Sequence, residues 1–152
     1  MIEKILVAFD GSESANKALD FALDIAAKYS AEILIVSILQ PVITPMFQYP
    51  ELGVSAAPPA TMISYAKELR DRHKKVLSAA LRMVKKVKPS LKVSTKLLEG
   101  RPSNKIVETA KQGNFDIIVL GSQGLGGIKK FFLGSVSHRV ADEASCPVLI
   151  VK

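Results

Sequence analysis

Glycines, serines and two lysines are concentrated between Val119 and Val136, the part of the sequence best suited to chemistry. An apolar run ends at Leu120, a glycine-rich loop with Lys129 and Lys130 follows, and Gly134 and Ser135 then open a predicted helix. Glycine allows the backbone to come close to a ligand, and the first turn of a helix offers unpaired N–H groups with partial positive charge. The stretch is therefore typical of an anion site, and phosphate is the expected anion.

The spacing of the glycines excludes two common phosphate-binding motifs. No Gly-Lys-Ser/Thr triplet stands at the spacing of a Walker A loop. The run from Gly124 to Lys129 lacks the last glycine of the dinucleotide-binding fingerprint. The stretch instead fits Gly-x2-Gly-x9-Gly-Ser, with Gly121, Gly124, Gly134 and Ser135 in the named places. A structural loop, in which the glycines only allow tight turns, is the alternative interpretation.

This pattern resembles that of the ATP-binding subgroup of the universal stress protein family. The resemblance extends from Val7–Ser12 to Cys146–Val151, which is nearly the whole chain. It implies an adenine nucleotide alpha hydrolase-like, Rossmann-like fold, ATP as the ligand and a homodimer. Mg²⁺ carried by the nucleotide is a further option under the same resemblance.

Composition predicts one domain over residues 1–152, located in the cytoplasm. The sequence is 48% hydrophobic and 6% aromatic, which is typical of a globular chain with an aliphatic core. Its one cysteine, Cys146, favours a reducing compartment. The first residues, Met1–Lys4, lead directly into a strand-like run, so we expect no signal peptide. No apolar run has the length that a membrane span requires.

The net charge of +7 is concentrated in one segment. Between Lys67 and Lys88, nine basic residues stand against two acidic ones, Glu68 and Asp71, which accounts for the whole excess. A solvated helix face is the expected explanation. Nucleic-acid binding is not predicted, because aromatic residues do not interleave with the cations and no known binding motif is present.

Strand-like apolar runs alternate with helical patterns along the chain. We predict strands over Lys4–Asp10, Ile33–Leu39, Leu91–Leu97, Phe115–Leu120 and Pro147–Val151. Helices are predicted over Ala15–Tyr29, Thr61–Lys88, a short segment that ends at Gly113, and Ser135–Ser145. Ser12 and Ser103 are the expected N-caps of the first and third helices. The pattern predicts an α/β fold with a five-stranded parallel sheet and helices on both faces.

The long second helix is predicted to bury one apolar stripe. The stripe comprises Met62, Ala66, Leu69, Val76, Ala80, Leu81, Val84 and Val87. His73 falls on this stripe, and we expect it to be a satisfied or partly exposed histidine, not a ligand. His138, one turn past Ser135, could approach a phosphate.

The polar alternation of Leu91–Leu97 places the third strand at an edge of the sheet, and the resemblance implies the strand order 3-2-1-4-5. In such sheets ligands bind at the carboxyl ends of the strands, where the order reverses. The reversal lies between strands one and four, which makes Asp10 and Gly121 neighbours. Asp10 is then placed to accept hydrogen bonds from ribose hydroxyls, and capping of the first helix is its alternative role.

The resemblance implies the roles of the remaining site residues. Ile38 supplies backbone groups to adenine, and Ala8 lines the base pocket. Lys129 and Lys130 lie on the loop, and from this position they could screen the phosphate charge. Backbone N–H groups near the glycines and the Ser135 hydroxyl hold the phosphates. The predicted binding residues are Ala8, Asp10, Ile38, Gly121, Ser122, Gln123, Gly124, Gly134, Ser135 and Val136. No metal ligand and no catalytic residue are predicted.

Two further segments suggest movement and assembly. Residues 41–60 contain five of the eight prolines, which predicts a mobile loop. The last strand, with Val148–Val151, is apolar, terminal and unpaired on one side, so we expect pairing across a two-fold axis to form a homodimer. The resemblance implies the same dimer.

The first functional hypothesis is an ATP-binding stress-response or regulatory protein that acts as a dimer. One alternative is a slow ATPase, or a nucleotidyl-transfer enzyme that acts through Lys129 or Lys130. Another is an interaction protein without a nucleotide, which uses the basic helix or the proline-rich segment.

Overall fold

The computed structural model describes residues 1–41, 60–126 and 133–152. In chain order, its elements are β1 (Lys4–Ala8), α1 (Glu13–Tyr29), β2 (Glu32–Leu39), α2 (Ala60–Val87), β3 (Val93–Glu99), α3 (Pro102–Gln112), β4 (Ile117–Gly121), α4 (Ser135–Glu143) and β5 (Val148–Val151). The strands form one sheet in the order β3-β2-β1-β4-β5. Every neighbouring pair is parallel, which confirms the predicted sheet. Most of the predicted mobile loop, residues 42–59, lies outside the described residues.

The central strand β1 is covered on both faces, which explains its continuous apolar sequence. Leu6 pairs in register with Leu34 of β2 and with Ile118 of β4. Ile5, Leu6 and Val7 are completely buried. A strand of this kind is stable only inside a sheet that carries helices on both sides.

The two faces of the sheet have separate cores, as the predicted helices on both faces require. On one face α1 and α2 pack through Leu19 and Leu77 against Val7. On the other face α3 and α4 pack through Ile106 and Val140. Each core is dominated by aliphatic side chains, whose burial is the main source of stability.

The predicted buried stripe of α2 is wrong at its ends. Ala80 and Val84 are buried as predicted, and so is Leu77, which the predicted stripe omitted. Val87 is 61% exposed, and Ala66 is exposed as well. The 28 residues of α2 span about 42 Å, whereas the eight residues of β2 span about 26 Å. The helix is therefore longer than the part of the sheet that it covers, and its two ends extend beyond the sheet.

One predicted helix cap is confirmed and one is wrong. The N–H of Ala15 donates to Oγ of Ser12 at 3.2 Å, so Ser12 caps α1. Helix α3 begins two residues earlier than expected, with Arg101 as its N-cap and Pro102 in its first turn, and Ser103 is a buried helical residue. Proline suits this place because residues in the first turn have no intrahelical acceptor for a backbone N–H, and proline has no N–H to satisfy. None of the described helices combines the length and apolarity of a membrane span.

Candidate functional site

A cleft of about 780 Å³ opens at the carboxyl ends of β1, β2 and β4. Helices α1, α2, α3 and α4 contribute further wall residues. All ten predicted binding residues line this cleft: Ala8, Asp10, Ile38, Gly121, Ser122, Gln123, Gly124, Gly134, Ser135 and Val136. The strand order thus brings together residues from both ends of the sequence.

The carboxylate of Asp10 bridges the start of α1 and the glycine loop. Its Oδ1 accepts a hydrogen bond from the N–H of Ser12 at 2.9 Å, and its Oδ2 accepts one from the N–H of Leu125 at 3.2 Å. The side chain that caps α1 is that of Ser12. Asp10 therefore does not take the capping role, and its oxygens lie at the wall of the cleft.

Two serines at the start of α1 fix the backbone of the glycine loop. The hydroxyls of Ser12 and Ser14 both donate to the carbonyl oxygen of Gln123, the former at 3.3 Å. Because these hydrogen bonds fix the Gln123 carbonyl, the loop keeps a defined backbone path along the cleft. The sequence offered no local signal for these contacts, because more than a hundred residues separate the serines from Gln123.

Gly121 is a glycine because β4 ends directly against the first turn of α1. A Cβ atom at this residue would lie 2.8 Å from the backbone nitrogen of Ala15 and would overlap the hydroxyl of Ser14. Backbone atoms cannot move aside as a flexible side chain can. The close approach of strand and helix therefore requires a residue without a side chain.

The N-terminus of α4 faces the cleft without a side-chain cap. Gly134 occupies the N-cap position, and its N–H donates to the carbonyl of Ser122 at 2.7 Å. The Ser137 hydroxyl lies 2.9 Å from the same carbonyl. The first N–H groups of a helix have no intrahelical acceptor, so those of Ser135 and Val136 are available to a ligand. Together with the helix dipole they make an anion site.

Part of the cleft lining is apolar. Ala8 and Ile38 come from adjacent strands, and Pro102 and Ile106 come from the start of α3. Apolar walls with few polar groups are typical of pockets that hold an aromatic ring. The cleft therefore combines apolar side chains, a carboxylate and helix N–H groups that can bind an anion.

His73 is a cleft residue that sequence reasoning missed. Its Nδ1 lies 2.8 Å from Oγ of Ser37, which is completely buried in β2. Burial lowers the pKa of His73 below 6.5, the nearby Asp10 opposes this shift, and Arg72 adds to it. The helical periodicity of α2 correctly turned His73 toward the sheet, but it gave no sign that the ring would line a cleft.

A comparison with models of protein families gives a match over residues 1–152. A model of the universal stress protein family fits residues 1–152. The chain belongs to the universal stress protein family.

Relatives and solved structures agree with this membership. Universal stress protein YxiE of Bacillus subtilis (strain 168) is 33% identical over 152 residues, all of both chains. Universal stress protein UspA from Lactobacillus plantarum has a TM-score of 0.78 at 25% identity, over 99% of this chain and 97% of that chain. A universal stress protein crystallised in complex with cAMP has a TM-score of 0.66 at 28% identity, over 99% and 97% of the two chains.

Two other groups singled out in the sequence of this universal stress protein lie elsewhere. His138 is exposed and its Nδ1 lies 3.3 Å from the carboxylate of Asp142, and it does not belong to the cleft lining. Lys129 and Lys130 fall in residues 127–132, outside the described part. Within the described ranges, no three histidine, cysteine or acidic side chains are grouped as metal ligands.

Proposed function

We propose that this universal stress protein binds an adenine nucleotide, with ATP as the first candidate, and acts as a nucleotide-dependent stress-response or regulatory protein. One observation carries the proposal: the Asp10 carboxylate and the N-terminus of α4 line the same cleft. The ribose hydroxyls and the phosphates of one nucleotide need an acceptor and an anion site in a single groove. Cytoplasmic location stays a prediction.

The phosphate end of the cleft fits the proposed ligand. The N–H groups of Ser135 and Val136 and the dipole of α4 favour negative charge. The glycine loop comes close to Asp10, because a Cβ atom on Gly124 would lie 2.9 Å from Oδ2 of Asp10. A side chain at Gly124 would therefore occupy the space between the proposed ribose and phosphate positions.

The apolar end suits the base. Adenine is planar and apolar on its faces, and Ala8, Ile38 and Ile106 offer aliphatic contact. Backbone groups at the end of β2 near Ile38 can then hydrogen bond the ring edge. The related universal stress protein with bound cAMP, at 28% identity, supports an adenine nucleotide as the ligand class.

Magnesium, if it takes part, would be carried by the nucleotide. No cluster of metal-binding side chains occurs in the parts of the chain described here, and Mg²⁺ commonly binds nucleotides through phosphate oxygens and water. The protein's share would then be limited to holding the phosphates. We expect binding to survive chelation in weakened form, since the N–H groups of α4 act on the phosphates directly.

We propose that two chains pair through Val148–Val151. Strand β5 is the outer strand of the sheet and is hydrogen bonded to β4 on one side. Its side chains are apolar, and Val148, Leu149 and Ile150 are only partly buried within one chain. An apolar edge of this kind favours pairing with a second copy.

The experiment that tests the nucleotide is extraction of the native ligand. Purified protein is denatured, and the released small molecules are identified by mass spectrometry before and after incubation with excess ATP. Release of an adenine nucleotide supports the proposal. If no nucleotide is retained after incubation with ATP, the proposal is contradicted and an interaction protein without a nucleotide becomes the better explanation. Rapid conversion of ATP to products would instead favour the enzyme alternative.

A further inference from the structure

One wall of the cleft carries an imidazole among apolar side chains. Phe9, Leu39, Leu69 and His73 line this wall, on the face of the sheet that α1 and α2 cover. The predicted adenine contacts Ala8 and Ile38 pack instead with the core of the other face. The cleft therefore continues past the carboxylate of Asp10 into a region that none of the predicted contacts uses.

The strand register places His73 close to Asp10. Ala8 of β1 pairs with Val36 of β2, and the N–H of Phe9 donates to the carbonyl of Val36 at 2.8 Å. Ser37, which holds the His73 ring, is thus the neighbour of Phe9 across the two strands, and Asp10 is the next residue in the chain. Burial lowers the pKa of His73 and the charge of Asp10 opposes this shift, which agrees with their placement side by side.

In the His73 ring, one nitrogen is hydrogen bonded within the protein and the other can bind a ligand. Nδ1 lies 2.8 Å from the buried Ser37 hydroxyl, which fixes the orientation of the ring. Within the described ranges this is the only hydrogen bond found for the His73 side chain. A neutral imidazole has one donor and one acceptor nitrogen, so Nε2 remains available at the wall of the cleft.

The chemistry of the wall favours a hydroxyl as the partner of Nε2. A hydroxyl can donate and accept, so it suits either tautomer of the ring. A phosphate only accepts, and the carboxylate of Asp10 would repel it. The apolar side chains of Phe9, Leu39 and Leu69 also disfavour a charged group.

We propose that His73 is a second ribose-recognition residue, and that its Nε2 binds a free hydroxyl of the ribose beside Asp10. This inference rests on the proposed nucleotide binding and adds a specificity to it. The cleft selects ribonucleotides over nucleotides that lack the recognised hydroxyl, because loss of that group leaves Nε2 unpaired.

The test compares ATP, 2′-deoxy-ATP and 3′-deoxy-ATP by calorimetric titration. The wild-type chain is expected to bind ATP about five- to tenfold more tightly than at least one deoxy analogue. His73→Leu reduces this preference, because it weakens the binding of ATP more than that of the analogue. His73→Gln, whose side-chain amide can also donate and accept a hydrogen bond, retains more of the preference. His138→Leu is the matched control, because His138 is the other histidine and lies outside the cleft. It is expected to keep the wild-type ratio of ATP affinity to deoxy-analogue affinity.

Folding of each variant is checked by thermal unfolding, because His73→Leu leaves the buried Ser37 hydroxyl without its partner. The double variant Ser37→Ala/His73→Leu removes both groups and carries the same test if the single variant does not fold. An unchanged ratio in the His73 variants, or equal binding of all three nucleotides by the wild type, overturns the inference and leaves the proposed function standing. A wild type that binds none of the three contradicts the proposed function itself, and the inference with it.

Discussion

Oδ2 of Asp10 accepts a hydrogen bond of 3.2 Å from the N–H of Leu125, although 115 residues separate the two. The contact exists because β1 and β4 are neighbours in the sheet and end at the same edge. It links the proposed ribose acceptor to the loop that leads to the proposed phosphate site. A ribose bound as proposed would share this carboxylate with the N–H of Leu125, and nucleotide binding would then be coupled to the position of the loop.

Gly121 should tolerate no side chain. We expect Gly121→Ala to lower the free energy of unfolding by about 1–3 kcal/mol, because its Cβ would overlap the first turn of α1. Gly126→Ala is the control, since nothing lies within 4 Å of a Cβ atom there, and it should change stability by less than about 0.5 kcal/mol. Urea unfolding measures both. Equal stability of the two variants would contradict the close packing of β4 on α1.

Ser135→Asp should move stability and binding in opposite directions. A carboxylate in the first turn of α4 favours the helix by about 0.3–1 kcal/mol, yet it repels phosphates at the same N-terminus. We expect a small rise in the unfolding temperature and at least about a tenfold loss of ATP affinity. Ser135→Ala, which removes only the hydroxyl, should lose less affinity. A variant that binds ATP as tightly as the wild type would place the phosphates elsewhere.

Proline substitutions at two neighbouring residues of β5 should have different effects, because only one side of this strand is paired. The carbonyls of Pro147 and Val151 accept hydrogen bonds from β4, so the alternation of a strand turns the N–H of Ile150 outward and that of Leu149 toward β4. Ile150→Pro should therefore halve the mass seen by light scattering while the chain stays folded. Leu149→Pro should destabilise the sheet by about 3 kcal/mol or more. A folded Ile150→Pro dimer would exclude pairing through this edge.

His73 should make stability depend on pH. Burial lowers its pKa below 6.5, so the unfolded chain binds more protons than the folded one as the pH falls through 6.5 toward the folded value. The stability that neutral His73 contributes is therefore fully present above about pH 6.5 and is lost as the pH falls from there toward the folded-state pKa. Urea midpoints at about pH 7 and about pH 5.5 should differ less for His73→Gln than for the wild type. The exposed His138→Gln serves as control. An identical pH dependence in His73→Gln and wild type would assign the effect to other groups.

The strand order and the meeting of Asp10 with the glycine loop were predictable from the sequence. Buried parallel strands carry continuous apolar runs, and the end of each run marks the functional edge of the sheet. The family resemblance supplied the order, and the structure confirms it. Glycine spacing then indicated which loop lines the cleft.

Contacts between distant segments were not predictable in this way. The pairing of Ser37 with His73 depends on where α2 crosses the sheet, and helical periodicity does not indicate that position. The errors at Ala66 and Val87 have a related cause, because helical periodicity identifies a face but not how far the sheet extends beneath it. The predicted Ser103 cap failed because Pro102, which suits the first turn, begins α3.

The central claim is that one cleft holds ribose at Asp10 and phosphates at α4. The most direct test is calorimetric titration of ATP into the wild type and into Asp10→Ala, with the folded state of both verified by thermal unfolding. We predict saturable binding by the wild type and at least about a tenfold weaker affinity for the folded variant. Equal affinity in the two proteins, or no binding by the wild type, would contradict the account.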